Sequence, residues 1–368
     1  MSSNILLIID NSIPAYDISA GYRTADMYID IFIELGFDVK IMPLDFMRTE
    51  PYYSYYKSKS VEILAGKEFK RDYKKWTKKH SGEIKYILLN TPRAVSCINF
   101  FKKNTEAAII YHGRDMHFVR EYEHYRLTKS LKYLIRSKIF YFIEKYLYKK
   151  SDAFASVSLK ECEDIKKINP RIQSYYFPVF YYKEQKAAEN NFNRRAGLLF
   201  VGGNHRPNID AVKWFANSVF PLIKNKLPYV KLYVAGSLPA FLKDEIKNRD
   251  IIFTGTIADE ELSRLYRDAK LAVLPVRFGA GVKGKTIEAM HYNLPIVATS
   301  FALEGLPDIE KIIRPKDTAA EFANEVLRLY NDDKALFDIS RKAGEYAGEN
   351  FSHEKAVSSI RNLLKLRP

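Results

Sequence analysis

The sequence predicts an α/β fold made of two doubly wound domains. Short apolar runs of strand length alternate with segments of helical periodicity along most of the chain, and this alternation is typical of parallel sheets joined by crossover helices. A polar stretch near the middle interrupts the pattern, which then repeats. With 368 residues, the chain is also too long for one ordinary α/β core, so two domains of about 180 residues are expected.

The first half begins with a strand-length apolar run at residues 5–9. A helix is predicted over 24–35, because Met27, Ile31 and Leu35 share one face, and Gly36 ends it. These elements open a first domain that we place at residues 1–182. Its further strands are predicted at 39–42, 86–89, 107–111 and 153–157.

Residues 183–195 are polar and are predicted to link the two domains. The second domain, 196–350, repeats the alternation of strands and helices. A final amphipathic segment, 351–368, is expected to pack back toward the first domain. The second-half strands are predicted at 198–201, 230–234, 251–254, 271–276 and 296–298, and its helices at 210–220, 259–269, 286–292, 321–330, 334–346 and 352–366.

The composition favours a globular protein of a reducing compartment. Hydrophobic residues make up 47% of the chain, which allows a sizeable core, but no apolar run reaches the length of about eighteen residues that a membrane-spanning helix needs. The N-terminus lacks a basic leader and a cleavage site. Two cysteines, Cys97 and Cys162, provide neither a disulfide framework nor a metal cluster. We therefore expect a cytoplasmic protein.

The formal net charge of +15 suits three kinds of partner: nucleic acid, an anionic membrane surface, or phosphorylated small molecules. No helix-turn-helix, zinc-finger or RRM pattern is present, so nucleic acid is the weakest of the three. The alternative is a soluble enzyme that is simply rich in lysine.

The most informative motif is the sequence Gly-Ala-Gly-Val-Lys-Gly-Lys-Thr at residues 279–286. It follows the apolar run 271–276 and opens a short helical segment that carries Glu288. A strand, a glycine turn and a helix N-terminus together form a usual phosphate site, because glycines let backbone amides approach and the helix dipole favours an anion. Two lysines in the turn add positive charge. The motif predicts a site for a phosphorylated ligand.

Two other classes of phosphate-binding protein match the same residues. Gly279, Gly284, Lys285 and Thr286 satisfy the P-loop pattern, and the three glycines satisfy the dinucleotide fingerprint. Both motifs normally follow the first strand of their domain, whereas several strands precede this one. No later strand ends in an aspartate that could hold magnesium, as a P-loop enzyme requires. A P-loop NTPase or a dehydrogenase is therefore disfavoured.

A series of short motifs accompanies the glycine turn. They are Phe-Val-Gly-Gly at 200–203, Val-Ala-Gly at 234–236, Phe-Thr-Gly-Thr at 253–256, Leu-Pro-Val at 274–276, Gly-Val-Lys-Gly-Lys-Thr-Ile-Glu-Ala-Met at 281–290, Leu-Pro-Ile-Val-Ala-Thr at 294–299 and Glu-Gly-Leu at 304–306. In this order they resemble the C-terminal domain of retaining GT-B glycosyltransferases of group 1, or family 4. The resemblance covers roughly residues 196–350.

The first half resembles the same family more loosely, through Ser-Ala-Gly-Tyr-Arg at 19–23 and Asp-Met-His-Phe-Val-Arg at 115–120. The resemblance implies a GT-B fold, in which two Rossmann-like domains face each other across a cleft.

The resemblance also implies roles for residues of the second domain. Glu288 matches the second glutamate of the family's Glu-x7-Glu motif and would bind the ribose hydroxyls of a sugar nucleotide. Ala280 stands where the first glutamate is expected, so backbone amides of residues 279–282 would contact the donor sugar instead. The usual Arg and Lys pair after residue 203 is missing, so Lys283 or Lys285 would meet the diphosphate charge, with Arg206 as a weaker candidate. The donor-binding residues expected in this domain are Gly202, Gly203, Arg206, Thr256, Ile257, Gly279, Ala280, Gly281, Val282, Lys283, Thr286 and Glu288.

In the first domain, Gly21 matches the family's glycine loop, which approaches the donor phosphate and the acceptor. Arg23 follows at a helix start, where a cation is unfavourable unless an anion binds nearby. Asp115 and His117 come shortly after a strand, where the family often places a histidine near the donor sugar. His112 is a rival on the same loop. We expect Asp115, His117, Lys283 and Lys285 to serve catalysis.

These expectations describe a retaining glycosyltransferase that moves a sugar from a nucleotide diphosphate donor to a hydroxyl of a growing glycan. The resemblance implies no covalent enzyme nucleophile, no cofactor and no metal, and no Asp-x-Asp stands at a plausible donor site. The departing phosphate oxygen would take the acceptor proton, and domain closure would complete the site. Two alternatives remain: a non-catalytic sugar-nucleotide-binding subunit, and a GT-B epimerase or phosphorylase.

A membrane contact is expected from residues 128–150. This segment places Leu131, Leu134, Ile135, Ile139, Phe142, Tyr146 and Leu147 on one helical face and carries seven basic residues against one acid, Glu144. Such a helix can lie on an anionic surface at the inner face of the cytoplasmic membrane, near a lipid-linked acceptor. The alternative is an ordinary scaffold helix, whose apolar face packs on the sheet.

Overall fold

The computed structural model of the chain describes residues 4–18, 20–179 and 182–365. It divides the chain into two compact units, one formed by residues 1–179 and 356–368 and the other by residues 180–355. Each unit contains its own sheet of parallel strands together with helices, which confirms the predicted α/β class. Ser19, part of the motif at 19–23, lies outside the described residues, as does the end of the last predicted helix.

The first unit is built on a seven-stranded parallel sheet with the order β3-β2-β1-β4-β5-β6-β7. Strand β1 lies inside the sheet between β2 and β4, and all its residues are buried. Parallel strands that are covered on both faces appear as continuous apolar runs, which is why the sequence predicted β1 so readily. The strands are β1 (Ile5–Asp10), β2 (Asp38–Pro43), β3 (Glu62–Ile63), β4 (Ile84–Leu89), β5 (Ala108–Tyr111), β6 (Ala153–Ser156) and β7 (Gln173–Tyr176).

Several helices of the first unit carry too little apolar periodicity to be predicted. In α3, most residues are charged, and only Phe69, Tyr73 and Trp76 pack partly against the core. The predicted helix over 128–150 is observed as α6 but begins three residues later, because Lys129 adopts a φ of 57° and ends the preceding helix, α5, at Thr128. The helices are α1 (Ala20–Glu34), α2 (Tyr52–Ser58), α3 (Lys67–Lys79), α4 (Ile98–Asn104), α5 (His117–Thr128), α6 (Leu131–Lys150) and α7 (Leu159–Ile168).

The second unit is built on a five-stranded parallel sheet with the order β10-β9-β8-β11-β12. Its strands lie where the sequence predicted them. The predicted helix at 210–220 begins earlier, at Arg206, with Pro207 in its first turn, a position that proline favours. The strands are β8 (Leu198–Val201), β9 (Leu232–Ala235), β10 (Ile251–Gly255), β11 (Leu271–Leu274) and β12 (Ile296–Ala298).

The helices of the second unit flank this sheet and follow its strands in sequence. The final helix, α16, crosses the division between the units at residue 356, and beyond it the hydroxyl of Tyr86 donates to the carbonyl of Leu364 at 2.6 Å. The helices of this unit are α8 (Arg206–Trp214), α9 (Phe220–Lys224), α10 (Phe241–Ile246), α11 (Asp259–Asp268), α12 (Gly284–His291), α13 (Ser300–Leu303), α14 (Ala319–Tyr330) and α15 (Asp333–Asn350), and most of α16 (His353–Leu363) belongs to the first unit.

The segment 183–195, predicted as a linker, contains only a short 3-10 helix at Phe192–Arg194. Its first residues are nevertheless fixed to the second unit. The Gln185 side chain donates to the carbonyl of His291 at 3.1 Å, and the Asn293 side chain donates to the carbonyl of Lys186 at 2.8 Å. These contacts attach the segment to the end of α12.

Among the described residues, no helix combines the length and the apolar character that crossing a bilayer requires.

Candidate functional site

In each sheet, taken by itself, the carboxyl ends of the parallel strands are the candidate place for a ligand. In doubly wound sheets, ligands bind where the strand order reverses. In the second sheet this point lies between β8 and β11, which are neighbours. The turn at residues 202–203 follows β8, and the glycine-rich loop at residues 279–284 follows β11. The fold therefore brings the two glycine turns of the sequence to the same edge of one sheet.

Glycine is required at this edge because backbone segments approach closely. A Cβ atom on Gly236 would lie 2.4 Å from the carbonyl oxygen of Gly202. In the loop after β11, Gly279 and Gly281 adopt φ angles of 148° and 68°, which side-chain-bearing residues rarely adopt. These positions give the loop a backbone that can turn its amides toward a ligand.

Helix α12 begins directly after the loop and contributes its positive end. The side chain of Lys283, its N-cap residue, does not cap the first turn, and the N-terminus of a helix carries a partial positive charge. Thr286, expected to bind the donor, is engaged elsewhere: its hydroxyl donates to the carbonyl of Ala302 at 2.8 Å, and its amide donates to the carbonyl of Lys283 at 2.9 Å. The Thr286 side chain thus holds α12 against α13.

Lys285 is the central cation of the site. Its Nζ donates to Oδ1 of Asn208 at 2.5 Å and lies 4.3 Å from the centroid of the Phe200 ring. Asn208 in turn donates to the carbonyl of Gly203 at 2.9 Å, so Lys285 is tied to the glycine turn after β8. Burial, reinforced by repulsion from Lys283 and opposed by Glu288, lowers the pKa of Lys285 to about 7. A negative group bound nearby would restore its charge.

Lys283 differs from Lys285 in having a carboxylate partner. Its Nζ lies 3.2 Å from Oε2 of Glu304 and donates to the carbonyl of Gly281 at 2.5 Å. This pair offsets the charge of Lys283 within the protein. The two lysines, which the sequence left as equivalent candidates, are therefore electrostatically distinct.

Glu288 is buried on α12 and is held by a neighbouring helix. The hydroxyl of Tyr266, on α11, donates to Oε2 of Glu288 at 2.9 Å. The Tyr266 ring stacks on that of Tyr292, with centroids 4.6 Å apart, and the Tyr292 hydroxyl lies 2.6 Å from the Ser263 hydroxyl. This arrangement fixes the carboxylate in one orientation.

The other expected donor-binding residues lie at the same edge of the second sheet. Arg206 is the first residue of α8. Thr256 is exposed and Ile257 half-buried after β10, while Ala280 is half-buried and Val282 buried in the glycine loop.

A cation that the sequence reasoning missed stands between β11 and the glycine loop. The guanidinium of Arg277 forms a two-pronged ion pair with Asp210 of α8, at 2.9 and 2.5 Å, and lies 5.4 Å from the centroid of the Trp214 ring. Its position in the sequence, three residues after a buried strand, could have identified Arg277 as a candidate site residue. Together with the contact between Lys285 and Asn208, this pair joins α8 to the loop.

The first unit carries a polar cluster at the equivalent edge of its own sheet. Asp10 ends β1, and Asn90 and His112 directly follow β4 and β5. The Asn90 side chain lies 3.5 Å from the Asp10 carboxylate, and Nδ1 of His112 lies 3.3 Å from Oδ1 of Asn90. Arg114 forms an ion pair with Asp10. Sequence reasoning named His112 only as a rival candidate and did not consider Asp10, Asn90 or Arg114.

Burial sets the charges in this cluster. Burial, with the nearby Arg114 charge, lowers the pKa of His112 to about 3, so the imidazole is neutral at pH 7. Its Nε2 atom is buried without a hydrogen-bond partner among the described residues. Burial also raises the pKa of Asp10, although the Arg114 charge works against it. His112 therefore offers an unused polar atom to a ligand.

Gly21 makes room for Arg114. A Cβ atom on Gly21 would lie 3.1 Å from Cδ of Arg114, and the guanidinium lies 4.6 Å from the centroid of the Tyr22 ring. Gly21 and the half-buried Arg23 both lie in the first turn of α1. Arg114 adopts a φ of 65°.

Asp115 and His117, both half-buried, belong to a charge cluster around the buried Glu144 at the start of α5. Nδ1 of His117 lies 3.1 Å from Oε1 of Glu144 and 3.3 Å from Oδ1 of Asp115, which also pairs with Arg120. Glu144 accepts from the backbone amide of Phe118 at 3.1 Å and so caps α5. Burial lowers the pKa of His117, but the Asp115 and Glu144 carboxylates outweigh burial and raise it overall.

Among residues 4–18, 20–179 and 182–365, no group of three His, Cys, Asp or Glu side chains is arranged to hold a metal ion.

Residues 195–332 match the family model of the group 1 glycosyl transferases. An uncharacterized 44.6 kDa protein in the cps region of Klebsiella pneumoniae is 29% identical over 245 residues. The alignment covers 61% of this chain and 61% of that protein, so the chain spans less than two thirds of its relative.

Solved structures show the same fold over nearly the whole chain. Sucrose-phosphate synthase from Thermosynechococcus elongatus has a TM-score of 0.74 at 15% identity, covering 99% of this chain and 98% of that one. The pneumococcal O-GlcNAc transferase GtfA, in complex with UDP and GlcNAc, has a TM-score of 0.72 at 10% identity, covering 98% and 99%. Anabaena HepE, in complex with UDP and glucose, has a TM-score of 0.68 at 13% identity, covering 99% and 100%.

Proposed function

Because residues 195–332 are a group 1 glycosyltransferase domain and the chain has a GT-B fold, we propose that it transfers a sugar from a nucleotide diphosphate donor to a hydroxyl of a growing surface glycan. The transfer retains the configuration of the sugar and needs no metal. The second unit binds the donor, and the first unit carries the acceptor side.

The observation that carries this proposal is the setting of Lys285. Its pKa of about 7 reflects a cation that is removed from water and repelled by Lys283. Its Nζ contacts an amide oxygen, that of Asn208, and Lys285 lies in the first turn of α12, directly after the glycine loop. A diphosphate at the helix N-terminus would return full charge to Lys285 and accept bonds from the loop amides.

Glu288 supports a nucleotide rather than an inorganic phosphate. A buried carboxylate held by Tyr266 can accept hydrogen bonds from two adjacent hydroxyls, such as those of a ribose. Because HepE and GtfA were solved with UDP, a uridine diphosphate sugar is the donor to test first.

The chemistry follows from stabilising the leaving group. As the bond between sugar and diphosphate breaks, negative charge develops on the phosphate oxygen. Lys285 and the N-terminus of α12 would stabilise this charge. In the mechanism proposed, this oxygen takes the acceptor proton on the same face of the sugar, so no protein nucleophile is needed. In the first unit, we assign to the unused Nε2 of His112 the role of accepting a hydrogen bond from a sugar hydroxyl. This assigns to His112 the role first expected of His117.

The acceptor class is proposed from the relative and from the charge. The relative lies in a cps region, and the chain carries a net charge of +15. We therefore include in the proposal a lipid-linked glycan acceptor and work at the inner face of the cytoplasmic membrane.

The test is calorimetric titration with UDP and UDP-sugars, followed by NMR of the product formed with a mixture of glycan acceptors. We expect micromolar to millimolar donor binding and a product with the anomeric configuration of the donor. An inverted product would refute retention, and failure to bind any nucleoside diphosphate would refute the donor site.

The alanine at position 280 keeps one alternative open, a subunit that binds a sugar nucleotide without transferring it. Binding without turnover on any acceptor would favour that alternative. Conversion of the donor in the absence of any acceptor would instead indicate an epimerase.

A further inference from the structure

Helix α6 turns its apolar side chains away from the protein. Leu131, Ile135, Ile139 and Phe142 are 66%, 60%, 54% and 68% exposed. They follow one another at intervals of four, four and three residues, so they form one stripe along the helix, which we call the α6 stripe. Single exposed apolar residues are common, but a contiguous row on a soluble surface indicates a contact with a partner.

The two buried side chains of this helix before Leu147 are polar, and the partly buried residues that pack on the core, Ile143 and Tyr146, lie near its end. Glu144 and Ser137 are buried, and the Ser137 hydroxyl donates to the carbonyl of Phe118 at 2.8 Å. Arg136 pairs at 3.1 Å with Glu121, a buried carboxylate of α5. A surface helix usually buries its apolar face and exposes its polar face. Over residues 131–144, α6 does the opposite, because its polar side chains are satisfied by α5.

This arrangement excludes the ordinary scaffold role for the stripe. In a scaffold helix, Leu131, Ile135, Ile139 and Phe142 would pack on the sheet. Here the helix is anchored instead by Leu147 and Tyr148, near its end, which are fully buried in the core of the first unit.

The charges beside the stripe identify the chemistry of the partner. Lys132, Lys138, Lys145 and Lys149 are exposed, and the helix has one acid, Glu144, which is buried. The exposed side of α6 is therefore apolar and positive, with no acid among its residues. This combination fits a bilayer surface that presents acyl chains and anionic headgroups together.

We propose that the α6 stripe docks the chain on an anionic membrane leaflet, with its four apolar side chains among the acyl chains and the lysines at the headgroup phosphates. The helix lies on the membrane and does not cross it. The inference deepens the proposed function, because it names the surface that brings the enzyme to a lipid-linked acceptor. The benefit of docking rests on that proposed function, whereas the docking itself does not.

The test is flotation of the full chain with vesicles of neutral phosphatidylcholine or of phosphatidylcholine with phosphatidylglycerol. We expect binding only with the anionic lipid, and a decrease as salt rises. Changing Ile135 and Ile139 to Ser, or Lys132, Lys138 and Lys145 to Gln, should lower the apparent affinity by at least about tenfold. Arg136 is left unchanged, because its ion pair with Glu121 joins α6 to α5.

A matched control removes three exposed lysines of the second unit, Lys226, Lys334 and Lys342. This control loses the same charge but should float like the parent chain. All variants should keep the parent melting temperature and UDP affinity, which separates membrane docking from donor binding. Equal flotation with neutral and anionic vesicles, or parent-like flotation of both α6 variants, would overturn the proposal. So would capture by a protein partner that α6 binds in place of lipid.

Discussion

At the scale of single residues, Lys285 gives the site a pH dependence. Its pKa of about 7 means that the free protein loses this charge as pH rises through neutrality. A bound diphosphate favours the charged form, so UDP affinity should be highest below pH 7 and fall by up to about tenfold per unit above it. Calorimetry in buffers of different ionisation enthalpy should also detect proton uptake near pH 8.

The conservative variant Lys285→Arg is the control for this effect. Arginine stays protonated over the whole range, so the variant should bind UDP with little dependence on pH. A flat profile in the parent chain would contradict the assignment.

The two lysines of the loop should differ in their effect on turnover. Lys285→Ala should lower the rate by at least about a hundredfold, as removal of a charge contact to a leaving group does. Lys283→Ala should cost less, because Glu304 already neutralises Lys283 in the structure. The measurement is kcat with saturating donor. Equal losses, or parent-like turnover in the Lys285 variant, would place the diphosphate elsewhere.

Glu288→Gln tests the ribose contact. The variant replaces charge-assisted hydrogen bonds with neutral ones, which are weaker by about 1–2 kcal/mol, so donor affinity should fall by about tenfold. Tyr266→Phe removes one bond to the carboxylate and should weaken binding less. Calorimetry with UDP measures both, and an unchanged affinity for Glu288→Gln would rule out the ribose role.

At the scale of elements, the contact between the turns after β8 and β9 controls stability. Gly236→Ala would place a methyl group 2.4 Å from the Gly202 carbonyl oxygen. The atoms that this methyl group meets belong to the backbone of Gly202, so the strands must move apart. We expect this shift to lower the free energy of unfolding by about 1–3 kcal/mol. Thermal unfolding should show a melting temperature lower by several degrees. Gly82→Ala, where no atom lies within 4 Å, is the control and should leave it unchanged.

Helix α6 shows why periodicity alone can mislead at this scale. The sequence identified an amphipathic segment at 128–150 with an apolar face, but it assigned Leu131, Ile135, Leu147 and their neighbours to one side. In the structure, Leu147 is buried and Ile135 is exposed. The ion pair between Arg136 and Glu121 and the hydrogen bond from Ser137 to Phe118 decide which face of α6 is buried. These contacts join α6 to α5, and the periodicity of α6 alone does not reveal them.

At the scale of the whole molecule, transfer should survive a chelator. The cations of the second unit and the helix N-terminus are proposed to stabilise the leaving diphosphate, which is the role that a divalent ion would otherwise fill. Sugar transfer should therefore proceed at the same rate in EDTA. Loss of transfer that magnesium or manganese restores would contradict this expectation.

The sequence by itself determined the fold class and the position of the glycine-rich loop. Buried parallel strands must be continuous apolar runs, and β1 shows this pattern in the sequence. A loop that turns its amides toward an anion must contain glycine, and residues 279–286 show that pattern. Helix α3, which is mostly charged, and the two-residue strand β3 left no such mark.

Only the tertiary structure decided which side chains share a site and how they are charged. It paired Lys283 with Glu304, placed Lys285 on Asn208, engaged Thr286 with Ala302 and joined Asp10, Asn90, His112 and Arg114 at one sheet edge. Each of these contacts joins residues that are distant in sequence. The pKa of Lys285 and that of His112 depend on burial by such neighbours, and burial is a property of the packed chain that no local pattern encodes.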